Sequence, residues 1–176
     1  NFGVLICLIF LSCSNSGPTD SKETYNKKAN EIIIRAIKLS ECDCLLEIPD
    51  QSMIEISKQE RPCYDIQSDL IKKLNVRNKI ALDSLSSLSN NFKLDYEALK
   101  KNNIQIVTRE SLLEVRLKND RRVFKMCPKG IICISKPIFS KDFKKAVLDF
   151  SFAFMCTRGP LALIEFKNGK WEDIEE

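Results

Sequence analysis

Val147-Leu-Asp-Phe-Ser-Phe-Ala-Phe-Met-Cys156 alternates apolar and small or polar residues at period two. Leu148, Phe150, Phe152, Phe154 and Cys156 take one face of a strand, and Asp149, Ser151, Ala153 and Met155 the other. A stripe of phenylalanines at this spacing suits either the lining of a ligand pocket or one buried sheet face, and the buried face is the expectation. After Thr157-Arg-Gly-Pro160 comes a second strand, Leu161–Lys167, and then Asn168-Gly169, the pair favoured in a two-residue type I′ hairpin turn. Trp171–Ile174 returns as the last strand, with Phe166 opposite Trp171. On the upstream side, Ile131–Ile138 reads as a strand ending near Pro137, joined through a turn at Ser140–Lys144. The C-terminal third is thus expected to be an antiparallel meander of about four strands.

Further upstream the period changes from two to 3.6. Tyr25, Ala29, Ile32, Ile33, Ala36 and Ile37 predict a helix over Lys22–Ser40. Cys44–Ile48 is a short strand stopped by Pro49, and Ser52–Ser57 has no clear period. Tyr64–Ser89 predicts one or two helices, with a join near Asn75 and Asn78. Leu94–Lys101 is a short helix with Asp95 as its N-cap, Ile104–Val107 a short strand, and Ser111–Leu117 a helix capped by Thr108. The fold class is α+β: N-terminal helices packed on a C-terminal antiparallel β-meander.

The N-terminal run, residues 2–11, is uncharged and almost wholly apolar. It is too short for the ~20 residues of a spanning helix and fits a signal-peptide core. Because no Lys or Arg precedes it and the first residue is Asn1, the charged start of such a signal is expected upstream. Leu11-Ser12-Cys13 followed by Ser14-Asn15-Ser16-Gly17-Pro18 resembles a bacterial lipoprotein signal. That resemblance implies cleavage before Cys13 and lipid on Cys13. The expected organisation is a signal peptide over 1–12, a lipidated Cys13 with a flexible tether over 13–21, and one α+β domain over 22–176.

The composition excludes several chemistries. The chain has 176 residues, no His and five Gly. Ser-His-Asp and Cys-His catalysis and imidazole-ligated zinc are impossible, and no phosphate-cradling glycine loop is present. Carboxylate pairs such as Glu172-Asp173 stand beside no expected cleft. No cofactor or metal is expected. Residues 116–145 carry ten Lys/Arg against Asp120 and Asp142. Without a nucleic-acid-binding motif this run is expected to be a solvated surface spread over more than one face, forming no anion site and having no nucleic-acid partner.

Once Cys7 and Cys13 are set aside, Cys42, Cys44, Cys63, Cys127, Cys133 and Cys156 remain, an even number that favours disulfides in an exported chain. Cys63 is expected to pair with Cys42 or Cys44. A hairpin turning near Asp142 would bring Cys156 opposite residue 129, so Cys127 is expected to pair with Cys156.

Phe92-Lys-Leu-Asp95, Ile104–Leu112, Ile134-Ser-Lys-Pro-Ile-Phe-Ser140, Ala146-Val-Leu148 and Asn168-Gly-Lys-Trp171 together resemble a group of uncharacterised exported lipoproteins common in Bacteroidetes. Where that family often shows Cys-Gly with a second Cys close behind, this chain has Cys156-Thr-Arg-Gly159. A weaker likeness is to the NTF2-like fold, in which helices precede an antiparallel sheet. The resemblance implies no particular activity. The functional expectation is a lipid-anchored cell-envelope protein, periplasmic or surface-exposed. It would act as a non-catalytic binding or scaffolding module for an envelope protein or glycan. The alternative is an envelope enzyme or thiol-redox protein using Cys or carboxylate chemistry.

Overall fold

The structure, a computed structural model, describes residues 18–118, 120–152 and 161–174, with the side chains of 18–20 and 116–121 left aside. Helix α1 (Pro18–Ser40) is followed by β1 (Cys44–Leu46), α2 (Met53–Glu60), α3 (Ile66–Leu74) and α4 (Lys79–Ser86). A 3₁₀ turn (Ser87–Asn91) leads to α5 (Tyr96–Lys101), β2 (Gln105–Val107), α6 (Arg109–Lys118) and α7 (Asp120–Met126). The remaining strands are β3 (Ile131–Ile134), β4 (Ile138–Phe139), β5 (Lys145–Leu148), β6 (Phe150–Phe152), β7 (Ala162–Lys167) and β8 (Lys170–Asp173). The α+β class stands, with helices ahead of a four-stranded antiparallel sheet, β4-β5-β7-β8.

A second sheet, β2-β1-β3-β6, was not foreseen. In it β1 runs parallel to both β2 and β3, and only the β3–β6 pair is antiparallel. Parallel neighbours need long crossovers; α2 to α5 supply the first, and α6 with α7 the second.

The two sheets share one hairpin. Ile132, Cys133 and Ile134 pair with Phe152, Ser151 and Phe150, whereas Ile138 and Phe139 pair with Val147 and Ala146. Between these ladders Ser135-Lys136-Pro137 opposes only Leu148-Asp149. The extra residue is a bulge, and a bulge bends its strand. The two long strands expected over Ile131–Ile138 and Val147–Cys156 therefore break here: Ile131–Ile134 and Phe150–Phe152 join the mixed sheet, and Ile138–Phe139 and Lys145–Leu148 the antiparallel one. Pro137 has no N–H to offer a ladder. The remaining backbone groups find other partners. Ser135 N donates to Asp149 O at 2.9 Å, and Asp149 N donates to Ser135 Oγ at 2.9 Å. The Tyr25 hydroxyl donates to Pro137 O at 2.9 Å, and Lys136 Nζ donates to Asp50 O at 2.6 Å.

Helix α1 packs on this corner. Tyr25, Ala29, Ile32, Ile33 and Ile37 form one buried stripe. They join Leu45, Ile132 and Ile134 of one sheet and Ala146, Leu148, Ile164 and Trp171 of the other in a single cluster. Alternation then sends Ile138 and Val147 through to a second cluster with Met53, Ile66, Leu70 and Leu82, so α2, α3 and α4 cover the far face of β4-β5-β7-β8. A third cluster, Cys44, Leu46, Val107, Val123, Cys127 and Ile131, lies under α6 and α7 on the far face of the mixed sheet. Among the described residues, every buried member of the three clusters lies between Tyr25 and Trp171.

Several local expectations are realised. The Asn168-Gly169 turn has φ 51° and 81°, as type I′ requires. Phe166 pairs with Trp171, ring centroids 5.1 Å apart. Asp95 accepts from Ala98 N at 2.9 Å as the cap of α5. The join between α3 and α4 is left-handed Asn75 followed by the cap Asn78. The ambiguous stretch is helix α2, opened by a capping box: Ser52 Oγ accepts from Glu55 N, and Glu55 accepts from Ser52 N.

Three expectations are corrected. Residues 18–21, assigned to the tether over 13–21, are the first turn of α1, which opens on Pro18, a residue suited to the first helical position. The disulfide is Cys44–Cys127, with Cα atoms 5.8 Å apart. Cys127 therefore does not pair with Cys156, which lies outside the described residues. The reason is α7: Cys127 ends a helix instead of lying on the strand, and the parallel register Cys44↔Ile131 brings Cys44 beside it. Cys63 pairs with neither Cys42 nor Cys44; it is exposed in the turn after α2. Finally, the phenylalanine stripe is not a buried face. Phe150 is 37% exposed and Phe152 is half-buried, because the kink at Asp149 turns β6 out to the edge of the mixed sheet. Phe154 lies outside the described residues.

Burial pushes the Tyr25 hydroxyl far above its ordinary value of 10.0. The unfolded chain loses this proton near pH 10, whereas the folded chain keeps it. Stability from this group is complete below pH 10 and declines above it, by up to ~1.4 kcal/mol per pH unit. Tyr64, raised to about 12 by desolvation and then by its bond to Asp69, adds a slope of the same sign. Desolvation lowers Lys136, so between its folded value and 10.5 it adds stability as pH rises. Tyr25→Phe should cost ~1 kcal/mol at neutral pH and flatten the decline above pH 10. Urea unfolding of both proteins across pH 8–11 checks this.

Candidate functional site

Three regions gather chemistry-bearing side chains. The first is the corner itself. Asp149, 8% exposed, accepts from Arg61 at 2.8 Å. Arg61 is the C-cap residue of α2 and also lies over the Tyr64 ring at 5.1 Å. The adjoining cavity is lined by Glu47, Arg109, Cys133, Ser135, Asp149 and Ser151, among others, and holds about 40 Å³. That is room for a water or two and for no substrate. The Asp149–Arg61 pair ties α2 to the hairpin, and breaking such a pair leaves a buried charge uncompensated.

The second region is the disulfide end. Asp43 O accepts from Gln105 N, and its carboxylate accepts from Lys129 N at 3.3 Å, holding the turn after α7. One oxygen of Asp43 and the sulfurs of Cys44 and Cys127 lie within 4.8 Å of one another. With the two sulfurs joined they cannot serve as thiolate ligands, so this group is a crosslink. Cys42 is buried, and its sulfur lies 3.6 Å from where a Cβ on Gly130 would stand. Gly130, at φ 104°, makes the turn into β3.

The third region is an apolar cleft of about 250 Å³ between the C-terminal half of α1 and the strands β5, β6 and β7. Its walls are Ile32, Ala36 and Leu39 from α1, and Leu148, Phe150, Phe152, Ala162 and Ile164 from the sheets. Leu39 is 62% exposed. Arg35 and Asp173 also line the cleft, joined by two hydrogen bonds of 2.7 and 3.3 Å. Ser40 and Phe152 also line a second hollow, which holds Val123, the exposed Phe124 and the disulfide residue Cys127. Apolar surface therefore runs from Leu39 past Phe152 to Phe124. Apart from Ser40 and the Arg35–Asp173 ion pair, the cleft is lined by apolar side chains.

The sequence singled out Cys42, Cys44, Cys63, Cys127, Cys133 and Cys156 as disulfide candidates. The structure brings Cys44 and Cys127 together, buries Cys42, exposes Cys63, and places half-buried Cys133 on β3 opposite Ser151. Cys13 and Cys156 lie outside the described residues. Of the two readings of the phenylalanine stripe, the sequence favoured a buried sheet face over a pocket lining; the kink at Asp149 leaves Phe150 exposed and Phe152 half-buried, and both line the cleft. Of the basic run, Lys125, Lys129, Lys141 and Lys144 are exposed, while Lys136 is buried and bonded to Asp50 O. Among the described residues no helix is long and apolar enough to cross a membrane. Comparison with known proteins finds no matching family model, no matching curated protein and no matching solved structure.

The cysteine arrangement has a direct readout. In the native protein a maleimide should label Cys63 at once and reach Cys42 only on unfolding. Reduction of Cys44–Cys127, which closes a sequence separation of 83 residues, should lower stability by roughly 2–4 kcal/mol. Labelling followed by peptide mass mapping, and unfolding with and without reductant, measure the two effects. A native protein in which Cys63 resists labelling would contradict the arrangement.

Proposed function

We propose that the protein is a lipid-anchored envelope binding module, tethered through Cys13, that receives an apolar group of an envelope partner in the α1–sheet cleft. One observation carries the binding site: exposed Leu39 and Phe150, with half-buried Phe152 at the margin of the core, wall a cleft whose charged lining is the Arg35–Asp173 pair. An aliphatic or aromatic side chain, or an acyl chain, would bury apolar surface there, and the ion pair would orient a polar end. A glycan needs many polar donors and acceptors, and the cleft supplies few, which favours a protein or acyl partner. The signal-like run of residues 2–11 and Leu-Ser-Cys13 support the anchor. Resemblance to exported lipoproteins supports the same placement.

Two measurements test this reading. Expressed from the full gene in a bacterium, the protein should carry acyl mass at its N-terminus, and Cys13→Ser should remove that mass. An unmodified chain in both cases refutes the anchor. Independently, a fluorescent fatty-acid analogue should bind the cleft. Phe150→Asp should weaken it about tenfold, the usual order for losing an apolar anchor. Because Phe150 is already partly exposed, the melting temperature should hardly change. Equal binding by both proteins removes the cleft from the proposal.

A further inference from the structure

At the opposite end of α1 lies a different kind of surface. Ser21, in the first turn of α1, lines a hollow of about 560 Å³ with Leu74, Val76, Ala81, Leu85, Leu88 and Phe143. Arg77 and Lys141 line it too. Lys141 also lines the adjoining hollow, together with Lys144 and Lys145. Across both hollows four cations face two carboxylates, Asp142 and Glu165. Glu165 is engaged by Lys167 at 2.6 Å, and Asp142 accepts from Ser140 Oγ and Lys144 N. Ile80, on α4 one turn before the lining residue Ser84, is 77% exposed, the most exposed of the large hydrophobic side chains described. The pairing of an exposed isoleucine with a cationic rim over an apolar floor has no use in the core.

We propose that this end of the domain, centred on Arg77, Ile80 and Lys141, docks on the anionic surface of the bilayer to which Cys13 is anchored. The inference rests on the lipid-anchor reading for its geometry. Only Ser14–Gly17 separate Cys13 from Pro18, where α1 begins. Even fully extended, the step from Cys13 to Pro18 spans at most about 17 Å. The first turn of α1 is thus held within reach of the headgroups, and Ser21 already belongs to this surface. Charge selects the lipid: basic side chains near an anionic leaflet are attracted, while the apolar floor and Ile80 match the interface. Phosphate groups would sit between the Arg77 guanidinium and the Lys141 ammonium, and Ile80 would enter the acyl boundary.

The test replaces the native anchor, so that its outcome does not depend on whether Cys13 is lipidated. The chain from Ser14, which keeps the whole described core, is tethered by an N-terminal polyhistidine tag to nickel-chelating vesicles. The vesicles are phosphatidylcholine with or without phosphatidylglycerol, and amide hydrogen exchange is read by mass spectrometry. Segments 75–86 and 140–145 should exchange more slowly on the anionic vesicles, whereas 36–40 at the far end of α1 should not change. Salt should erase the difference. Arg77→Ala with Lys141→Ala should lower the docking equilibrium constant about 30-fold, since each basic side chain contributes roughly 1 kcal/mol at such a surface. Ile80→Gln should weaken docking without altering its salt dependence. Identical exchange on both vesicles, or protection at 36–40 instead, overturns the proposal. If native lipidation fails its own mass test while this docking is seen, the surface stands and the anchor alone is lost.

Discussion

One extra residue in a hairpin organises this fold. Where Ser135-Lys136-Pro137 faces only Leu148-Asp149, the ladder cannot continue straight, and the two strands turn together from one sheet into the other. A bulge strips backbone groups of their ladder partners, and buried groups without partners are costly. At this corner backbone groups find partners across the bulge and from α1, and two side chains reach out to either end of α2. Tyr25 reaches Pro137 O from α1, and Ser135 and Asp149 bond each other. Lys136 draws in Asp50 ahead of α2, and Asp149 holds Arg61 at the end of α2. The corner is therefore the point where the helices are registered on the sheets.

Helix α1 depends on that corner and in turn stabilises it. Its buried stripe touches both sheets, so neither sheet has a complete core without it. On its flank, Asn26 and Asn30 act as a pair one turn apart. Asn26 donates to Asn91 O and accepts from Lys93 N; Asn30 donates to Lys93 O and accepts from Asp95 N. Two amide side chains thus satisfy the backbone of 91–95 much as a neighbouring strand would. The Cys44–Cys127 bridge secures the remaining long-range join, between the first strand and the turn into the third.

The sequence displayed the features that depend on near neighbours. Asn168-Gly169, the cap at Asp95, the asparagines between α3 and α4, and the apolar period of α1 each act within a few residues and were legible. The capping box at Ser52 and Glu55 is equally local, but the helix it opens is too short to display an apolar period. Helix α7 carried a charged, weakly periodic sequence and gave no such signal. The parallel pairing of β1 depends on residues 61 or more positions apart, so the partner of Cys44 could not be read from spacing. The cleft was hidden for the same reason. Phe150 and Phe152 continue the alternation of Leu148, and nothing in that alternation announces a change of sheet at Asp149.

The length of α1 sets a separation between two surfaces. Ser21 lines the basic hollow and Ala36 lines the apolar cleft. Fifteen residues of helix between them span about 22 Å, more than twice the ~8–10 Å over which charges are screened at physiological ionic strength. A leaflet at the first turn of α1 would thus be electrostatically silent at the Arg35–Asp173 pair. Changes in lipid charge would alter how firmly the domain is seated without altering what the cleft selects. The helix that builds the core would also serve as a standoff, keeping capture of a partner independent of the composition of the surface beneath.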